Sequence, residues 1–147
     1  APTIYYGDEA GVCGFTDPDS RRTYPWGHED QDLIRYHKEL IRVRKENPAC
    51  RRGSGIPVYA KGGHFAFGRF LGDNHVLTII NNTEEAERMT IPVWQIEISD
   101  GELFERQVLS MEEEFNLEKA HYLVCDGKIE IYMPPYSAAV MSHTGNN

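Results

Sequence analysis

Between residues 30 and 47, Leu33, Tyr36, His37, Leu40, Ile41 and Val43 recur at spacings of three and four, with Arg35, Lys38, Glu39, Arg42 and Lys45 between them. One apolar stripe repeating with the period of an α-helix predicts an amphipathic helix over this segment. Asp30 stands where an N-cap belongs, and Glu29 and Asp32 put negative charge near the positive end of the helix dipole. Arg42, Arg44 and Lys45 complement the other end, and Pro48 stops the run.

From about residue 52 the period changes from helical to alternating. Short β-prone runs at Val58–Lys61, His64–Leu71, His75–Asn81, Arg88–Val93, Leu103–Val108, His121–Cys125, Lys128–Met133 and Ser137–Ser142 are separated by turn residues. Ile129, Ile131 and Met133 alternate with Lys128, Glu130 and Tyr132; Phe65, Phe67 and Arg69 alternate with Ala66, Gly68 and Phe70. Gly62-Gly63, Gly72-Asp73-Asn74 and Asp126-Gly127 are hairpin connections. Runs of this length and spacing predict an antiparallel β-sandwich. The acidic stretch Met111–Leu117 reads as one helical turn or a loop. Trp94, just after a strand, reads as core or edge packing.

Ahead of the helix, residues 1–29 hold one short β-prone run, Thr3–Tyr6, and then a long loop rich in Gly, Asp, Pro and Arg that ends in Tyr24-Pro25-Trp26-Gly27. Loops of this length are uncommon in compact domains unless they carry function. The chain begins at Ala1 and runs directly into a strand, an opening that reads as cut from something longer.

Composition narrows the partners. With 147 residues, 40% of them hydrophobic and 11% aromatic, the chain holds one ordinary core and a small additional segment. A net charge of −8 repels phosphate backbones, which argues against nucleic acid. No apolar run approaches the roughly 18 residues of a membrane span, so a membrane partner is not expected. Cys13, Cys50 and Cys125 are odd in number, far apart and free of any C-x-x-C spacing, so they read as ordinary thiols and lean toward a reducing, cytoplasmic setting, with the location itself left open. Six histidines show no metal-ligand spacing, and no metal or cofactor is expected. His37, on the apolar stripe, reads as packed. Asn81-Asn82-Thr83 has the form of a glycosylation acceptor but reads as a polar turn.

The loop of residues 7–29 carries the chemistry. Asp17-Pro18-Asp19-Ser20-Arg21-Arg22 presents acids and bases together, and Tyr24-Pro25-Trp26 adds an aromatic step before the helix. Strand, long polar loop and helix form the unit of a (β/α)-barrel, whose sites lie in the loops after the strands. Carboxylates and guanidinium groups suit sugar hydroxyls, and aromatic faces suit sugar rings. Each residue also has a plainer role open to it: Asp17 as a turn cap, Arg21 in a structural salt bridge, Trp26 closing the loop against the helix. Asp8 and Glu9 are neighbours on an expected strand and point to opposite faces, so they orient the loop rather than flank one bond.

The opening Ala1-Pro2-Thr3-Ile4-Tyr5-Tyr6-Gly7-Asp8-Glu9, followed by Asp17-Pro18-Asp19-Ser20-Arg21, Trp26 and the helix, resembles the eighth barrel strand, loop and helix of glycoside hydrolase family 13, the α-amylase family. It is similar in particular to the neopullulanase, cyclomaltodextrinase and maltogenic-amylase branch, although Ser20 stands where that branch often has Cys. The resemblance reaches the whole chain in architecture and residues 1–50 in motif. It implies a C-terminal fragment, with residues 1–51 as the last strand, loop and helix of the catalytic barrel. Residues 52–147 are then a Greek-key-type β-sandwich, the C-terminal domain of that family.

The resemblance further implies cleavage of α-1,4 glucosidic bonds by a retaining mechanism, with α-1,6 bonds an open second target. The family's three catalytic carboxylates sit on earlier strands, so no residue here is catalytic and the chain by itself is expected to be inactive. Two carboxyls must flank one bond, and a barrel that supplies them needs on the order of 200 residues or more. Asp17 and Arg21 match the loop positions that touch glucose units, so an α-glucan or maltooligosaccharide and the upstream barrel are the expected partners. Without that barrel, residues 1–29 are expected to be loosely anchored or to pair with a second copy. A free-standing carbohydrate-binding β-sandwich is the alternative.

Overall fold

The structure is a computed structural model that describes residues 2–145. Ala1, the first residue of the opening motif, lies outside the described residues. The chain divides into two units, Ala1–Arg42 and Val43–Asn147.

In the first unit the backbone turns at Gly7, whose φ of 91° suits glycine, into a 3-10 turn at Asp8–Ala10. A second 3-10 turn covers Asp19–Arg21, and α1 follows at Gln31–Glu46. Asp30 is the N-cap expected of it: its Oδ1 accepts the Leu33 N–H at 2.9 Å. The Asp30 N–H donates to Ala10 O at 3.2 Å and ties the end of the loop back to its beginning. Residues 3–6 form no strand. They have no ladder partner among the described residues, and an extended segment becomes a strand only when a neighbour takes up its hydrogen bonds.

In the second unit the last turn of α1 is followed by a single-turn helix, α2 (Ala49–Arg52), begun by Pro48, and then, among the described residues, by nine strands: β1 (Ser54–Lys61), β2 (His64–Leu71), β3 (Asn74–Asn81), β4 (Glu87–Pro92), β5 (Leu103–Ser110), β6 (Phe115–Asn116), β7 (His121–Leu123), β8 (Lys128–Met133) and β9 (Ser137–Thr144). The larger sheet runs in the order β1-β2-β3-β9-β5-β6, with β7 also paired to β5, and β4 and β8 form a second sheet. Every pair is antiparallel.

The expected alternation is realised side by side. Ile129, Ile131 and Met133 of β8, with Met89 and Ile91 of β4, share one core with Leu77 and Ile79 of β3, Phe104 of β5 and Ala139 and Met141 of β9. Two sheets whose inner faces fill a common core make a β-sandwich. Pro57, which has no N–H to give a ladder, sits on the edge strand β1 where the register slips between Pro57 and Tyr59. Asp126 and Gly127 both have positive φ, as the two-residue turn between Cys125 and Lys128 requires.

Two segments depart from expectation. Within Met111–Leu117, β6 pairs with the end of β5, Ser110 opposite Phe115 and Leu109 opposite Asn116. The three glutamates of that run are the hairpin's exposed connection, closed by the Met111 N–H donating to Glu114 O at 2.8 Å. Trp94 begins a 3-10 turn, Trp94–Ile96, and faces solvent; the core position belongs to Ile96, which is fully buried over Gly68 of β2.

Candidate functional site

The acid-and-base segment of the first unit is a tight loop with a crossing at its base. A Cβ on Gly14 would lie 2.6 Å from Ser20 Cα, so only glycine lets the two limbs pass this closely. The loop then closes on itself: Phe15 N–H donates to Asp19 Oδ2 at 3.0 Å, and Arg21 N–H donates to Pro18 O at 3.0 Å.

Asp17 and Arg21 are brought together by this turn. Arg21 Nε and Nη2 donate to Asp17 Oδ1 and Oδ2 at 3.1 and 2.8 Å, a two-bonded fork, and Ser20 Oγ donates to Oδ1 at 2.7 Å. The Ser20 hydroxyl and then the Arg21 guanidinium hold the Asp17 carboxyl below its ordinary range. The next pair is offset by one turn position: Arg22 Nε and Nη2 both donate to Asp19 Oδ1, at 2.9 and 2.7 Å, and Arg22 together with the Phe15 N–H holds Asp19 low as well. The Arg21 and Asp17 side chains remain 71% and 61% exposed. Two ionised carboxylates and two guanidinium groups therefore face solvent in fixed orientation, with acceptor and donor positions to spare for hydroxyls.

Aromatic surface adjoins them in the chain. The Tyr24 and Trp26 rings lie 4.6 Å apart, and Trp26 is 80% exposed. The Tyr5 and Tyr6 rings lie 4.7 Å apart, both exposed, and Phe15 is more exposed still. Of these, Phe15 was not singled out by the sequence, which shows Asp19 and Arg22 in the acid-and-base run without their pairing. The i,i+3 spacing of an acid and an arginine inside one turn is the signal that reveals such a pair.

Asp8 and Glu9 serve the backbone. Asp8 Oδ2 accepts the Tyr5 N–H and Glu9 Oε2 the Gly7 N–H, each at 3.1 Å, so both carboxylates shape the 3-10 turn. In the second unit Asn81 is only 1% exposed; its amide donates to Glu85 O and Pro134 O, and its Oδ1 accepts from Thr83 N and Oγ1. A buried amide with its bonds filled organises a turn and offers nothing to a modifying enzyme. Among the described residues no group of three His, Cys, Asp or Glu is placed to hold a metal ion, and no helix is long and apolar enough to cross a membrane.

No family model matches the chain. An amylopullulanase of Thermoanaerobacter thermohydrosulfuricus is 36% identical to it across 99% of the chain, which spans 10% of that relative's length. A cyclomaltodextrinase of Thermoanaerobacter pseudethanolicus is 40% identical over 58% of the chain and 15% of its own length. Among solved structures, the acarbose-soaked debranching enzyme of Nostoc punctiforme superimposes with a TM-score of 0.70 at 25% identity, covering 96% of this chain and 25% of that one.

Proposed function

This chain belongs to the α-amylase family of glycoside hydrolases, and we propose on that premise that it is the C-terminal part of an enzyme that cleaves α-glucans, itself without catalytic residues. The observation that carries the reading is a disproportion: likeness runs through almost all of this chain and through only a tenth of the amylopullulanase. Residues 1–51 then supply the last loop and helix of the catalytic barrel, and residues 52–147 the sandwich that stabilises it. Asp17 and Arg21 present a charged fork to the hydroxyls of a glucose unit, and Trp26 offers a ring face beside them. The acids that break the bond come from earlier barrel strands, and α-1,4 linkages are the substrate, with α-1,6 linkages the second class to assay.

The test is an assay of the 147-residue chain against soluble starch, pullulan and cyclodextrins, beside a longer protein that carries a barrel ahead of Ala1. The chain releases no reducing sugar and the longer protein does. Hydrolysis by the chain alone overturns the reading.

A second reading, a carbohydrate-binding sandwich, draws on Phe65 and Phe67, whose rings lie 6.0 Å apart on the outward face of β2. Calorimetric titration with maltoheptaose separates the two, because the terminal-domain reading expects no measurable heat from the isolated chain.

A further inference from the structure

In the second unit a polar cavity of about 320 Å³ is lined chiefly by Asp73, His75, Glu97, Ser99, Glu102 and His143. Asp73 lies in the turn before β3 and His75 on β3; residues 97–102 connect the Trp94–Ile96 turn to β5; His143 lies on β9. His75 is 5% exposed, and neither of its ring nitrogens makes a hydrogen bond of good geometry, although the Asp73 backbone approaches the ring. Buried polar groups left without partners are few in native structures, and each calls for a reason.

His143 stands directly opposite His75 in the β3–β9 register, with the ring centroids 5.6 Å apart. Its Nδ1 lies 3.0 Å from Leu103 O and its Nε2 3.5 Å from Glu102 Oε2, so β9 grips the beginning of β5 through this one ring. The titratable groups that face His75 are thus His143 from β9, Asp73 from the turn, and Glu97 and Glu102 from the connection.

We propose that the His75–His143 pair is an acid-sensitive latch, holding the 97–102 connection against β3 and β9 and releasing it when His75 takes up a proton. A cation at His75 in the closed arrangement is shut away from water with a second imidazole beside it. Opening gives it water. Burial first, and then His143, hold the closed His75 below its ordinary value, while Asp73, through its backbone and its charge, and Glu97 pull the other way. In the open state the ring returns to about 6.5. The open form therefore binds more protons below about pH 6.5, and the closed form loses stability as the pH falls through that value and keeps it above.

Hydrogen exchange of the full chain, read by mass spectrometry at about pH 7.5 and about pH 5 and corrected for intrinsic rates, tests this. Peptides over 97–103 lose protection by about tenfold or more at the lower pH, while those of β4 and β8 do not. In His75→Gln the 97–103 peptides show no such change. Equal pH dependence in the variant, or none in the native chain, overturns the latch. Should His75→Gln fail to fold, the His75 ring followed by NMR in the native chain decides. A midpoint below the ordinary imidazole range, reached together with loss of the 97–103 signals, supports the latch; an ordinary midpoint with those signals intact overturns it.

Discussion

The side chains of Asn47 and Asn74 meet in the second unit, the Asn74 amide donating to Asn47 Oδ1 at 2.9 Å. Asn74 Oδ1 accepts the Ala49 N–H at 2.9 Å, and its amide reaches His143 O and Thr144 Oγ1 at 3.2 Å; Asn47 in turn donates to Val43 O at 2.8 Å. Both side chains are buried, so one small network starts α2 and holds the beginning of β3 to the end of β9. Asn74→Ala leaves several of these buried groups unpaired, and we expect a loss of about 3 kcal/mol in stability, read from the midpoint of urea unfolding.

Gly68 is required by its neighbour. A Cβ there would fall 2.5 Å from Ile96 Cγ2 and 3.0 Å from Cδ1. Gly68→Ala should cost about 1–3 kcal/mol through overpacking. Combined with Ile96→Ala, which empties the same space, it should cost less than the sum of the two single changes. Additive losses in the denaturation midpoints would show that the contact is not the cause.

The three thiols differ in environment. Cys13 and Cys125 are exposed, whereas Cys50 is half-buried and burial pushes its thiol up against the opposing pull of Arg69, Arg44 and Arg51. Because the thiolate is the reacting form, labelling with an aromatic disulfide at neutral pH should modify two cysteines quickly and Cys50 roughly tenfold more slowly or worse. Three equal rates would contradict this ordering.

The Asp17–Arg21 fork is exposed, and exposed pairs contribute little to folding. Asp17→Ala is therefore expected to leave the thermal midpoint of this chain unchanged, while in a longer, active protein it raises KM for maltooligosaccharides. Because Asp17 is held low, its paired form persists above about pH 4 and is lost as the pH falls below the ordinary carboxylate range. A KM identical in variant and parent removes the substrate role assigned to the fork.

Local patterning settled much of this protein. The α1 stripe with its Asp30 cap, the strands of residues 64–71 and 128–133 and the glycine-bearing hairpins all depend on neighbours a few residues away, and a linear sequence displays such neighbours directly. The acid–arginine turn at 17–22 was legible for the same reason: its partners are three and four residues apart. Tertiary structure decided the rest. Thr3–Tyr6 has strand composition but no ladder among the described residues, Phe115 finds one despite the glutamates before it, and Ile96 takes the core place that the sequence offered to Trp94. The Asn47–Asn74 contact and the burial of His75 against His143 join residues 27 and 68 positions apart. Whether a polar side chain there is exposed or enclosed follows from which strands become neighbours, a choice made by the collective burial of two sheets and not by any local pattern.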